Sequence, residues 1–467
     1  MFGFMTIKKG QIIELAVENI ASGGRGVARL HGFVLFVRGG LPGDRVRARV
    51  VKKKKAFAEA VILDLLEPSA DRAEAPCPYS GVCGGCQWQH VRYDRQLAYK
   101  KAHIEEAVTR IGALSGIPVR DVIPAEETFA YRNKMEFSFS DRRWLLTEEM
   151  EKGETDRDFA LGLHVPGTYY KVLDIDRCLL QGDRGNEILR AVKSYVKGSG
   201  VPVYGLKSHL GFWRYLMLRR SFHLDEWMVN IVTSREGQEV LEPLAEDLCS
   251  RFDHISTVVN NINGRKASIA LGEKEVILAG RGNLRDRIGP FTFQISANSF
   301  FQTNTLGAEA LYNKVVEFAE LRGSETVLDL YSGTGTIPIF LSGHAKEIVG
   351  MEIEESAVAD AWKNCKANGV ENCRFIPGDI RDQITQLRLK PDVLIIDPPR
   401  AGMHKDVLAR VMEIAVEKVV YVSCNPATLA RDLEIMSQEY EVSEIQPVDM
   451  FPQTYHIEAV AKLVRRQ

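Results

Sequence analysis

No apolar run in this chain approaches the roughly 18 residues that a membrane-spanning helix needs. The opening MFGFMTIKKG lacks the charged-then-apolar pattern of a secretory signal. Both absences predict a cytoplasmic protein with no membrane partner. Cysteine is scarce, with eight in 467 residues. That is too few for a disulfide scaffold, and in a reducing compartment clustered cysteines serve metals or catalysis instead. There is no internal repeat and no low-complexity tract beyond Lys52–Lys55. A surplus of one charge is also missing, since the net charge is −2. Hydrophobic residues at 45% and charged residues at 26% exclude a disordered or collagen-like chain. At roughly 150 residues per domain, the length predicts about three domains.

The near-neutral total hides an asymmetry. Residues 1–62 carry twelve Lys/Arg against four Asp/Glu, which leaves the remainder acidic. A basic module on an acidic body suggests a polyanion-binding appendage. Residues 11–63 read as five short strands separated by Gly-rich turns (SGGRG, RGGLPGD), a pattern that predicts a small β-barrel. EPSADRAEAP is a linker by composition. A cysteine-rich stretch follows, then a helix over YDRQLAYKKAHIEEAVTRIG. Residues 129–290 show more strand signals than long helices (KMEFSFS, FALGLHV, LMLRRSF, WMVNIVTS, HISTVVNNIN) and predict a β-rich middle domain. From about 305, helices alternate with short apolar strands, which argues for βαβ units and a parallel sheet.

Three strand ends in that last region carry chemistry. TVLDLYSGTGTIPI ends a strand at Asp329 and turns through Gly333 and Gly335 into a helix. A dinucleotide fingerprint would need a third glycine where Pro338 stands, so NAD and FAD are disfavoured. The next strand ends in Glu352, spaced to bind ribose hydroxyls. This D-x-Y-x-G-x-G pattern resembles the S-adenosylmethionine (SAM) site of Rossmann-like methyltransferases. VLIIDPPRAG places Asp397 after a second strand, where the carboxyl ends of a doubly wound sheet line the ligand crevice. Amino-group methyltransferases carry an aromatic after such a DPP; Arg400 stands there instead, which weighs against exocyclic-amine methylation. KVVYVSCNPATLARD puts Cys424 at a third strand end on the same rim. C5 of uracil is too weak a nucleophile to take a methyl group unaided. A thiolate adding to C6 turns C5 into an enolate carbon that can attack a methyl sulfonium. A base must then remove the C5 proton. TYHIEAVAKL supplies His456 and Glu458, and burial in that apolar run would raise the Glu458 pKa toward that of a useful base.

FQTN, DLYSGTGT, DPPRAG, SCNP and HIE, in this order, resemble the RNA uracil-5-methyltransferase family. The resemblance implies an α/β Rossmann-like class I SAM-dependent methyltransferase domain with Cys424 as nucleophile and Glu458 as base. It implies a SAM site formed by Gln302, Tyr331, Gly333, Gly335, Thr336, Glu352, Asp379 and Asp397. The basic five-strand segment is similar to the OB-like, all-β TRAM domain, an RNA-binding barrel. Its charge would attract phosphate, and Phe33, Phe36 and Phe57 would either stack on bases or fill the barrel core.

Cys77, Cys83 and Cys86 lie within ten residues, and Cys178 stands far downstream. Four thiolates suit either zinc or an iron–sulfur cluster. The x5 spacing and the fourth cysteine argue against a radical-SAM site. The segment resembles the [4Fe–4S] stretch in one branch of the family, which favours the cluster. Cys249, Cys365 and Cys373 are read as structural. The resulting layout has three parts. Residues 1–68 form the barrel. Residues 69–92 and 120–288 form an iron–sulfur segment and central RNA-binding domain. Residues 93–119 and 289–467 form the catalytic domain. The expected activity is C5 methylation of a uridine in structured RNA by a monomer, with 23S rRNA favoured and tRNA open. Two rivals remain: methylation of an exocyclic amine, and a non-catalytic iron–sulfur RNA-binding protein.

Overall fold

A computed structural model describes residues 7–267 and 269–467. The first six residues of the expected 1–68 module, and with them most of the opening stretch read for a signal, lie outside the described residues.

The N-terminal strands are β1 (Ile12–Ala21), β2 (Arg25–Leu30), β3 (Phe33–Arg38), β4 (Arg45–Lys53) and β5 (Phe57–Glu67). They close into a barrel in the order β1-β2-β3-β5-β4. Alternate residues such as Leu35, Val37, Val46, Ala48 and Val50 point inward and are fully buried. Phe36 and Phe57 meet edge-on at 5.4 Å, and Arg25 lies over Phe36. Much of the barrel's positive charge is matched internally: Arg29 pairs with Glu18, Arg45 with Glu67, Arg47 with Asp64 and Lys52 with Glu59. Asp64 and Glu67 lie just past the basic window read from the sequence.

After α1 (Tyr93–Arg110), the middle unit contains β6 (Lys134–Ser140), α2 (Thr147–Glu151), β7 (Ala160–Gly162), α3 (Asp183–Gly198), β8 (Trp213–Arg220), β9 (Trp227–Thr233), α4 (Gln238–Arg251), β10 (Ile255–Ile262) and β11 (Lys274–Gly280). Its sheet runs β11-β10-β9-β8-β6-β7. The domain is β-rich, but α3 and α4 are long and pack their apolar faces on the sheet. The strand expected over FALGLHV is cut to three residues. At Gly162 the backbone of the returning segment, at Leu173, lies too close for any side chain.

The hairpin β12 (Asn283–Ile288) and β13 (Phe291–Ser296) follows, then α5 (Thr305–Ala319), β14 (Thr326–Leu330), α6 (Thr336–Leu341), β15 (Glu347–Glu352), α7 (Glu355–Ala367), β16 (Cys373–Pro377), α8 (Ile380–Gln383), β17 (Val393–Ile396), α9 (Lys405–Ile414), β18 (Lys418–Ser423), α10 (Pro426–Met436), β19 (Tyr440–Val448) and β20 (Glu458–Arg465). The seven-stranded sheet is ordered β16-β15-β14-β17-β18-β20-β19, and β20 alone runs antiparallel to the other six strands. Both faces are covered, as a parallel sheet requires. Val393, Ile395, Val420 and Val422 face α5, α6 and α7. Their alternates Leu394, Ile396, Val419 and Tyr421 face α1, α8, α9 and α10.

Chain segments cross between units. α1 packs on the catalytic sheet, and residues 119 and 123 pair with Ile445 and Val448 of β19. The β12–β13 hairpin spans residue 288, and Leu284, Ile288, Phe293 and Ile295 join the catalytic core. A division of the chain at 288/289 therefore falls inside one hairpin. Among the described residues, no helix is long and apolar enough to cross a membrane.

Candidate active site

The strand order reverses between β14 and β17, each paired to the other and to an outer strand. Such a switch point opens a crevice at the carboxyl ends of the strands. Asp329 and Asp397 stand on its two sides, and the Asp397 N–H donates to the Leu330 carbonyl (3.3 Å). Both carboxyls are raised above the ordinary range, chiefly by burial: Asp397 to about 7, and Asp329 well above its ordinary value, with the charges of Asp397 and Glu352 adding to the effect of burial. Both oxygens of Asp329 are buried with no hydrogen-bond partner. A buried unpaired carboxylate costs free energy unless a ligand satisfies it. This cluster of acids at the crevice fits a ligand that brings positive charge and hydroxyl or amino donors.

The loop between β14 and α6 shapes the same crevice. Gly333 has φ +54°, and a Cβ there would meet nothing within 4 Å, which leaves room beside the backbone. Gly335 has φ +77°, and a Cβ there would strike Phe375 at 2.8 Å and Ala361 at 2.9 Å. Gly335 thus serves helix–sheet packing. Tyr331 holds φ +69° without being glycine, a strained backbone of the kind found at functional loops. Glu352 accepts from the Gly333 and Glu354 N–H groups, each at 2.9 Å, so its carboxylate braces the loop. Thr336 Oγ1 meets the Tyr312 hydroxyl at 2.9 Å, and the Gln302 side chain bonds the same hydroxyl. Asp379 caps α8 and pairs with Arg381, which holds its carboxyl down at about 2. Asp379 is the one candidate whose acceptors are already spent on its own helix and an arginine.

Cys424 follows β18, and Glu458 begins β20. The antiparallel register pairs Ser423 with Ala459, so the next step sets Cys424 opposite Glu458. The Glu458 carboxyl is buried and raised well above its ordinary value, by desolvation first and then by Asp397. Burial and the Glu458 charge push the Cys424 thiol up to about 11, while Arg400 opposes them. Arg400 Nη2 donates to His456 Nδ1 at 2.6 Å, and desolvation lowers the His456 pKa to about 4. The Arg400 carbonyl accepts from Asn425 Nδ2 (2.9 Å) and Thr428 Oγ1 (3.3 Å). The SCNP turn therefore grips the DPPR loop. Asn425 also caps α10, its side chain accepting from the Ala427 N–H.

Comparison with known proteins gives the family of the chain. A family model described as tRNA (uracil-5-)-methyltransferase matches residues 223–466, and a TRAM domain model matches residues 7–63. The chain belongs to the RNA (uracil-5-)-methyltransferase family. Its members depend on SAM for methyl transfer. A protein named an uncharacterized RNA methyltransferase, from Chlorobaculum tepidum, is 41% identical, covering 98% of each chain. Another from Halalkalibacterium halodurans is 37% identical, again over 98% of each. A crystal structure of Pyrococcus abyssi tRNA (uracil-54, C5)-methyltransferase with S-adenosyl-L-homocysteine is 30% identical, with a TM-score of 0.76 over 97% of this chain and 99% of that one. The orphaned Asp329 carboxylate and the open space at Gly333 fit the SAM expected of this family.

Two residues of this methyltransferase were not assigned from sequence. In the sequence Asp329 stands out only as a strand end, though an acid closing an apolar strand before a Gly-rich turn is itself a signal. Tyr312 gives none, because an aromatic on the amphipathic α5 reads as core until the fold brings it beneath Gln302 and Thr336.

The four cysteines line one small cavity with Leu163, Leu179 and Leu180. All are free thiols. Burial raises each thiol, Cys83 to about 11 and Cys86 to about 12. Among the described residues no three His, Cys, Asp or Glu form a ready metal-holding group. The donor set nevertheless fits a thiophilic group, since neutral thiols in an apolar cavity ionise only beside a strong positive charge.

Proposed function

We propose that this RNA (uracil-5-)-methyltransferase methylates C5 of a uridine through a covalent adduct. The observation that carries the proposal is the strand register that sets Cys424 opposite Glu458 beside Asp397. Cys424 first loses its thiol proton to solvent; the thiolate sulfur then bonds to C6, and the C5–C6 π electrons move to make an enolate. C5 takes the methyl group from the sulfonium, leaving S-adenosylhomocysteine. Glu458 then takes the C5 proton, and the thiolate leaves C6 as the ring double bond returns. Asp397 and Asp329 face the sulfonium side, where carboxylates favour a cation. The SAM contacts come from Gln302, Tyr331, Gly333, Gly335, Thr336, Glu352 and Asp397, with Asp379 held at the rim by Arg381. The target base must leave its helix to reach Cys424.

Cys77, Cys83, Cys86 and Cys178 would hold a [4Fe–4S] cluster, whose positive core would ionise the thiols and staple the two segments. The cluster is structural in this reading. The layout of barrel and cysteine segment supports 23S rRNA as the target. A tRNA target is the second reading, favoured by the likeness to the Pyrococcus abyssi enzyme.

The test is transfer from labelled SAM to unmodified 23S rRNA and, separately, tRNA, with nucleoside analysis and a Cys424→Ala control. 5-Methyluridine in one RNA, lost in the variant, supports the chemistry and chooses the target. Activity retained by Cys424→Ala moves the reading to exocyclic-amine methylation. No 5-methyluridine in either RNA overturns the proposal.

A further inference from the structure

A second concave site lies in the middle domain, away from the Cys424–Glu458 rim. It follows the end of β6, is closed by the segments around residues 170 and 207, and has a volume of about 400 Å³. That is within the roughly 300–1,000 Å³ of ordinary ligand clefts. Its lining is strongly basic. Arg143 is spent on its own loop, pairing with Glu149 (3.1 Å) and Glu154 (3.8 Å) and donating to the Asp156 carbonyl (2.9 Å). Arg142, Arg157, Lys171 and Lys207 also line the cleft, and among the described residues none of them has a carboxylate partner. Asp141 is the one acid in the wall.

The aromatic residues are placed unusually. The Lys171 ammonium sits over the Trp144 ring at 3.8 Å, and the Lys207 ammonium over the Tyr170 ring at 4.2 Å. Each cation thus covers an aromatic face at a solvent-open cleft. A base stacking on the ring would displace the ammonium, which can then turn to a phosphate on the same strand. Cations and aromatic faces together are what single-stranded nucleic acid requires: charge for the backbone, rings for the bases. The wall is also braced. The segment that carries Tyr170 and Lys171 runs on to Cys178, and the Gly84 N–H, between Cys83 and Cys86, donates to the His164 carbonyl (3.0 Å).

We propose that this cleft is a nucleotide subsite for an unpaired stretch of the substrate RNA, with a base stacked on Trp144 or Tyr170 and phosphates on Lys171, Lys207, Arg142 and Arg157. The inference rests on the RNA-methyltransferase reading, since it assigns the partner as RNA. It makes the middle domain a reader of strand remote from the target base.

The probe is a fluorescein-labelled single-stranded oligoribonucleotide of mixed sequence, titrated by anisotropy against the full-length protein without SAM. Lys171→Ala/Lys207→Ala should weaken binding about tenfold and lower the salt slope by roughly 0.7 for each lost phosphate contact. Trp144→Ala should weaken binding by a similar factor with no change in slope. Because Lys207 is exposed, Lys207→Glu tests the same point without disturbing folding. In methyl transfer to full-length RNA, the variants should raise KM for RNA and leave kcat and KM for SAM unchanged. Unchanged affinity and slope in the double variant and in Lys207→Glu would overturn the proposal. So would 5′-AMP binding as tightly as the oligonucleotide, which would assign the cleft to a free nucleotide. Wild-type protein that binds RNA here yet makes no 5-methyluridine would count against the catalytic reading alone.

Discussion

The chemistry at the residue scale turns on two groups that burial pushes toward their neutral forms. The Cys424 thiol lies near 11 and the Glu458 carboxyl far above its ordinary range. Both must ionise to act, as nucleophile and as base. The fraction of each in its active form rises with pH until the folded pKa is passed. The single-turnover rate should therefore climb from about pH 6 to about pH 9, by up to about tenfold per unit for each of the two groups still protonated. A flat profile, measured with saturating SAM and RNA, would contradict the assignment of these two residues. Glu458→Gln should lower turnover ~10²–10⁴-fold. It should also trap methylated RNA on Cys424, because the C5 proton has no acceptor, and a protein–RNA adduct on a denaturing gel is the readout. Asp329 makes a prediction of opposite sign for stability and binding. A carboxyl whose folded pKa is raised adds no penalty below its unfolded pKa, and the penalty grows as pH rises toward the folded value. At neutral pH, Asp329→Asn should raise the melting temperature of ligand-free protein by relieving about 1–3 kcal/mol. The same change should weaken SAM binding, measured by calorimetry. A variant that is both less stable and equally tight for SAM would refute the reading.

Elements position these residues, and the least obvious of them is α1. Its Lys100 is fully buried and pairs with Asp449 at 2.6 Å, just after β19. Asp449 also accepts from the Tyr93 hydroxyl (3.1 Å), and Lys100 donates to the Phe451 carbonyl (3.0 Å). Gln96 of the same helix bonds Gln453. The helix thus clamps the loop that delivers His456 and Glu458. Lys100→Met would leave the Asp449 charge buried without its cation, at a cost of ~3–5 kcal/mol. Chemical denaturation should show that loss, and Lys100→Met/Asp449→Leu should regain part of it. A negligible change in the single variant would show the clamp to be idle.

At the scale of the whole molecule, the barrel and the sheets are joined by crossing segments, and the cysteine stretch is one of them. It bonds forward to the catalytic loop, where the Gln87 and Trp88 N–H groups donate to the Gln453 carbonyl (3.1 and 2.9 Å). Removing the proposed cluster should therefore be felt at the active site. Anaerobically purified protein should contain iron and acid-labile sulfide, and Cys86→Ser should lose both and melt at a lower temperature. Zinc in place of iron would assign the site to the alternative metal. Retention of iron and sulfide by Cys86→Ser would remove that cysteine from the ligand set.

Much of this was written in the sequence because it is local. Strand ends followed by Gly333, by Pro398 and Pro399, and by Asn425–Pro426 announce themselves, since turn geometry depends on a few adjacent residues. Alternating apolar strands and helices fixed a parallel sheet, and five short strands fixed a barrel. What the sequence could not decide were relations between distant segments. The C-terminal strands β19 and β20 bring residue 458 opposite residue 424 only through an antiparallel register, and no local signal encodes register across such a separation. The basic window looked like bare charge until the barrel folded Asp64 and Glu67 against Arg47 and Arg45. The resemblance already grouped residues 93–119 with the catalytic domain, but that Lys100 of α1 is buried against Asp449 shows only in the fold. The sequence determined which residues have the right chemistry. The tertiary structure decided which of them meet, because desolvation and charge pairing are set by neighbours in space.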